Sequence, residues 1–136
     1  MGLVYTEITL KNANDKIMAK KGYIKEEDIR TKTTTAMVDT GAWTLVINEA
    51  IREELGLDVF GKEPGRLADG QMISLDLAGP LEVWWNDRHH IMSALVAPNA
   101  TEILLGAIPL EALDLVVDPR NETLVGRHGD QVMHIV

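Results

Sequence analysis

Short apolar stretches, many alternating with polar residues, run along most of this chain, and clusters of Asn, Asp, Gly and Pro separate them, a pattern that predicts short strands. Leu3 to Leu10 reads as an opening strand that ends at Lys11-Asn12-Ala13-Asn14-Asp15. Those turn residues predict a hairpin into a weaker strand over Ile17 to Ile24, followed by a solvated charged loop at Lys25-Glu26-Glu27-Asp28. Thr31 to Thr35 starts the next strand, and Ala36-Met37-Val38 extends it with an apolar run suited to burial on both faces. Trp43 to Ile47 continues the β pattern, after which Asn48 caps a helix over Glu49 to Leu55 that Gly56 ends.

The second half keeps the same rhythm. Arg66 to Ile73 contains an Asp-Gly pair, the turn of a hairpin. Ile73 to Leu77 alternates, Gly79-Pro80 breaks the pattern, and Leu81 to Trp85 resumes it with Trp84 and Trp85 on opposite faces. One of these indoles is expected inside and the other near a partner or cleft. Ile91 to Val96 forms another strand, and Ile103 to Leu105 is apolar throughout, so it is expected to lie beside Ala36 to Val38. A short helix runs from Pro109 to Leu113, Leu115 to Val117 and Thr123 to Val125 make a final hairpin, and Val132 to Val136 adds an edge strand. The sum is an all-β fold with two short helices.

Composition narrows the function classes. The length of 136 residues suits one domain spanning 1–136, and the formal net charge of −8 leaves no basic stripe for nucleic acid. No export signal or membrane-length apolar run is visible, which predicts a soluble, cytoplasmic protein without membrane contact. Cysteine is absent, and His89-His90 lie on opposite faces of a strand, so neither thiolate chemistry, a metal nor a cofactor is expected. Asn99-Ala100-Thr101 and Asn121-Glu122-Thr123 read as turn residues rather than glycosylation sites.

The informative position is Asp39, where an apolar strand ends in an acid. A carboxylate at the edge of a core must be hydrogen-bonded, paired or shifted in pKa. Thr40 adds a hydroxyl that can donate and accept, and Gly41 permits close approach of a backbone or ligand.

Val38-Asp39-Thr40-Gly41-Ala42 resembles the signature of retropepsin-like aspartic proteases, and Ile103-Leu104-Leu105-Gly106 with the helix after it resembles that family's second conserved segment. The resemblance implies a closed acid-protease β-barrel. Its chemistry uses two such loops, yet the chain has one Asp-Thr-Gly, so a homodimer is implied, with terminal strands Leu3 to Leu10 and Val132 to Val136 as its seam. Two Asp39 carboxylates would share a proton and activate a water against a peptide bond, with Thr40 bonding across the dimer and Gly41 shaping the loop. Ala42 and the hairpin tip Ala68, Asp69, Gly70 and Gln71, the flap of such an enzyme, would bind the substrate peptide or protein. Trp43 departs from the small or polar residue common there in relatives, and either narrows the cleft or packs. The alternative function is a non-catalytic peptide-binding or dimerisation module on the same fold.

Overall fold

A computed structural model describes residues 3–67 and 69–129. The strands in chain order are β1 (Val4–Asn12), β2 (Thr31–Val38), β3 (Leu45–Ile47), β4 (Asp58–Arg66), β5 (Met72–Trp85), β6 (Arg88–Val96), β7 (Ile103–Leu105), β8 (Leu115–Asp118) and β9 (Thr123–Gly126). Among the described residues three α-helices accompany them, α1 (Ala13–Lys20), α2 (Glu49–Leu55) and α3 (Ala107–Ala112), with one 3-10 turn at Glu26–Asp28.

Six strands close on themselves. β1 lies antiparallel to β2, β2 parallel to β7, β7 antiparallel to β3, β3 parallel to β6 and β6 antiparallel to β5. The ring is completed where Thr9–Asn12 of β1 pairs with Leu81–Trp84 of β5. This is a closed mixed β-barrel, the retropepsin architecture expected. Its interior is filled by Ile8, Leu10, Leu45, Ile47, Val83 and Leu105, each no more than 1 % exposed. At about 1.5–3 kcal/mol per buried aliphatic side chain, this shared interior is the main force holding the strands together.

β5 serves two neighbours along one edge. Met72–Gly79 pairs with β4, and Leu81–Trp84 pairs with β1. The change of partner falls at Gly79-Pro80, where the register against β6 also shifts. The expected break is therefore a bulge within one long strand, because proline has no N–H for the ladder and a bulge bends the strand toward its second partner. Among the described residues β4 pairs with β5 alone and forms with it the hairpin that carries the Asp-Gly turn.

Two expectations are corrected. Ile17 to Ile24 is not a strand: its first residues belong to α1, giving three helices instead of two. The turn formers before it act as a helix cap, since the Asn12 side chain accepts from the Asp15 amide at 3.0 Å. Leu3 to Leu10, expected at the seam of a dimer, is not available for pairing along its whole length, because β2 and β5 flank β1 on both sides over Thr9 to Lys11; among the described residues its beginning pairs with β2 alone. Val132–Val136 lies outside the described residues. The helix expected from Pro109 begins two residues earlier, at Ala107. Asn48 and Gly56 cap α2 as expected, with Asn48 accepting from the Ile51 amide at 2.9 Å and Gly56 at φ 62°.

A polar cluster ties α1 and α2 to the barrel. Asn12 donates to the Leu55 carbonyl at 2.8 Å, at the end of α2. Asp15 accepts from Arg30 Nε and Nη2 at 2.8 and 2.9 Å and from the Arg30 amide at 3.0 Å. The next residue of α1, Lys16, reaches the buried Glu82 of β5, which also accepts from Trp84 Nε1. Trp84 stacks on His89 with ring centroids 4.2 Å apart, whereas Trp85 packs against the core and donates to Thr6.

The hydrogen bonds from Arg30 outweigh the burial of Asp15 and hold its carboxyl below the ordinary carboxylate range. Stability from this pair is therefore present above a pH of about 4 and lost as pH falls through the lowered value. Asp15→Asn should cost about 1–2 kcal/mol at neutral pH, since Arg30 is half exposed and the pair is partly screened. Denaturant titrations across pH should show the gap between wild type and variant closing as the solution becomes acidic.

Candidate active site

The loop after β2 is held by the strand and helix of the other apolar segment. Asp39 donates its amide to the Leu105 carbonyl at 3.0 Å, extending the β2–β7 ladder by one bond. Its own carbonyl accepts from the Ala42 amide at 3.1 Å, closing a turn over residues 39–42. Within that turn Asp39 Oδ1 accepts from the Gly41 amide at 2.9 Å. Of the outcomes open to a carboxylate at the edge of a core, the hydrogen-bonded one is realised, and Asp39 is partly exposed.

α3 completes the grip. The first amides of a helix lack partners inside it, and here two of them donate to the loop: Ala107 to the Ala42 carbonyl at 2.8 Å and Ile108 to the Trp43 carbonyl at 3.0 Å. Gly106 is the contact point. A Cβ built there would lie 2.3 Å from the Thr44 carbonyl oxygen and 2.6 Å from that of Ala42, so only glycine lets the two segments meet. At its far end α3 is secured by Arg88, which donates to the Leu113 and Asp114 carbonyls at 3.0 Å each. Asp114 in turn holds His128, whose amide donates to Oδ2 at 3.0 Å and whose ring Nδ1 lies 2.6 Å from Oδ1. Burial raises the pKa of Asp114, but the hydrogen bonds of His128 and the nearby charges outweigh it and lower the net value.

Asp39, Thr40, Gly41 and Ala42 thus share one rigid loop. Thr40 is exposed and lines two cavities. One, of about 420 Å³, runs between Asp39 and the apolar side chains of Leu3, Val4, Val38, Val117 and Pro119. The other, of about 230 Å³, lies against α3 and β8 and is bordered by Leu110, Glu111 and Arg127. The apolar strand ending in Asp39 is less enclosed than its composition implies: Ala36 is fully buried, but Met37 and Val38 are only half-buried, and Val38 borders the larger cavity.

The hairpin tip is closed by its own hydrogen bonds. Leu67 donates to the Gln71 carbonyl at 2.8 Å, Gly70 donates to Leu67, and Asp69 accepts from the Gln71 amide at 2.9 Å. Asp69, Gly70 and Gln71 are exposed, and none of them lines the cavities beside Thr40; Ala68 lies outside the described residues. Among the described residues, no three His, Asp or Glu side chains gather as a metal-holding group. No helix among them is long and apolar enough to cross a membrane.

Sequence reasoning missed the backbone donors Ala107 and Ile108 and the lining by Leu3, Val4, Val117 and Pro119. The donors had a legible signal in the glycine that precedes them. The lining had none, since it joins residues from both ends of the chain.

Gly106→Ala tests the grip directly. Overpacking against two fixed carbonyls should cost about 1–3 kcal/mol or more, read as a lower denaturation midpoint at unchanged m. Gly41→Ala should cost less, since a Cβ there meets only the Asp39 Oδ1 atom, at 3.2 Å.

A protein-family model described as aspartyl protease matches residues 21–108, a span that runs from before β2 through the acid loop and the hairpin into the start of α3. No curated protein matches the chain.

Proposed function

Since the chain belongs to the aspartyl protease family, we propose that it is an aspartic endopeptidase whose working site is assembled from Asp39 of two identical chains. The observation that carries this reading is the Asp39 loop itself. One carboxylate oxygen is oriented by the Gly41 amide, and the loop is immobilised by hydrogen bonds from β7 and α3. An acid held this way at an accessible edge is suited to proton transfer.

One acid is half of the required pair. Two carboxylates at hydrogen-bonding distance cannot both ionise easily, so a pair shares one proton and supplies a base and an acid together. The ionised Asp39 takes a proton from a water whose oxygen attacks the peptide carbonyl. The protonated Asp39 of the partner subunit polarises that carbonyl, and a proton then passes to the leaving amine. Thr40, exposed beside the acid, bonds across the two-fold axis, and the apolar cavity lined by Leu3, Val4, Val117 and Pro119 supports a seam there, since a second chain would remove its surface from water. An extended substrate peptide lies along Ala42 and the hairpin tip of Ala68, Asp69, Gly70 and Gln71, the position of a flap in this family.

Asp39→Asn keeps the shape of the side chain but not its basicity, so kcat should fall about a hundred- to ten-thousandfold while the fold persists. Adding an excess of this variant to wild type should also poison it, because mixed pairs hold one competent acid. Specific activity should fall on dilution below the dissociation constant. Activity that is indifferent to dilution and to the mixed variant would rule out the shared site, and a peptide-binding chain that cleaves nothing at any pH would assign the module function instead.

A further inference from the structure

α3 is six residues long and carries Pro109 in its first turn, so its internal hydrogen bonds are too few to hold it in place. Burial of Leu110 and Leu113 sets how deep it lies, but apolar packing gives little direction. Its orientation therefore rests on what its two ends bond to. The first amides donate into the acid loop, and the last carbonyls are taken by Arg88.

Arg88 begins β6, and its side chain is 11 % exposed. Nη1 donates to the Leu113 and Asp114 carbonyls at 3.0 Å each and lies 3.9 Å from Asp114 Oδ2. Nη2 donates to the Gly129 carbonyl. Gly126 makes room for the guanidinium, since a Cβ there would lie 2.3 Å from Nη2. One planar cation thus joins the end of α3 to the chain that follows β9. Asp114 also holds a left-handed backbone at φ 56°, a conformation that a residue with a Cβ keeps only with support from its surroundings. Arg88 and the Arg127 amide, both donating to its carbonyl, supply that support.

We infer that Arg88 is a positioning residue for the acid site. By holding the carboxyl end of α3 it keeps the Ala107 and Ile108 amides on the Ala42 and Trp43 carbonyls, and through them the turn that aims Asp39. The inference rests on the reading of Asp39 as a catalytic acid. Arginine suits the task because its fork offers several donors in fixed directions, and a cation near the final carbonyls of a helix meets their partial negative charge. Without it these carbonyls lose a donor, and α3 is free to pivot about Gly106, which has no side chain to anchor it. A displacement of about 1 Å at a reacting group costs up to about a hundredfold in rate.

The test compares wild type with Arg88→Met, Arg88→Lys and Asp15→Asn, the last weakening the barrel at the end of β1 remote from Asp39. Amide hydrogen exchange is read residue by residue, and kcat and KM are measured on a peptide selected from a diverse pool. In Arg88→Met, exchange at the Ala42, Ala107 and Ile108 amides should rise about tenfold relative to the amides of β5 and β6. Its kcat should fall about ten- to a hundredfold at nearly unchanged KM. Arg88→Lys, with a point charge in place of the fork, should recover part of both, and Asp15→Asn should move neither. Should Arg88→Met fail to fold, Arg88→Lys carries the comparison with changes of the same sign. Exchange that rises evenly over the barrel, or a kcat per folded chain equal to that of wild type, overturns the inference alone and leaves Arg88 a stabilising residue. An equal loss of kcat in Asp15→Asn overturns it too, because lowered stability would then explain both. If wild type shows no cleavage that Asp39→Asn abolishes, the protease reading falls and this inference falls with it.

Discussion

The backbone contact at Gly106 is the constraint on which the candidate site depends. With no side chain at this position, the Thr44 and Ala42 carbonyls come within the distance a Cβ would occupy. That closeness is what allows the first amides of α3 to donate into the acid loop. A helix start and a loop, each with unsatisfied backbone groups, thereby satisfy one another in a place where water could not serve both. The orientation of Asp39 follows from this exchange, because its turn is closed at one end by Leu105 and at the other by α3.

The barrel provides the rigidity behind that contact. β2 and β7 deliver the two halves of the grip, and both are locked in a ring that the pairing of β1 with β5 completes. Outside the ring, the hydrogen bonds of Asn12, Asp15 and Arg30 join α1, the end of α2 and the approach to β2. Polar groups at such junctions specify geometry through direction, which apolar packing alone does not. Arg88 and Asp114 do the same at the opposite end of α3.

Surface chemistry around the loop divides into regions of different character. Toward Leu3, Val4, Val117 and Pro119 lies an apolar cavity, and toward Trp43 and Ile108 lie exposed apolar side chains. Asp39 borders the cavity on a chain of formal net charge −8. An acid beside apolar surface, within an otherwise charged molecule, fits the mostly apolar, concave character of binding sites.

Much of this was legible along the chain. The apolar run ending in Asp39-Thr40-Gly41, the similar run ending in Gly106, the Asn48 and Gly56 caps of α2 and the Asp-Gly hairpin are local patterns, and local patterns report strand, cap and turn chemistry directly. The adjacency of the two apolar strands was legible as well, since a strand buried on both faces needs neighbours of its own kind. The segment after Asn12 was misread because the same residues favour a turn and a helix start. The choice fell to tertiary partners: Leu55 for the Asn12 side chain and Arg30 for Asp15. Only the folded chain could decide the closure of the barrel, the change of partner at Gly79-Pro80 and the cavity joining Leu3 to Pro119. Each depends on contacts between residues far apart in sequence, for which hydrophobic pattern sets which face is buried but not what is buried against it.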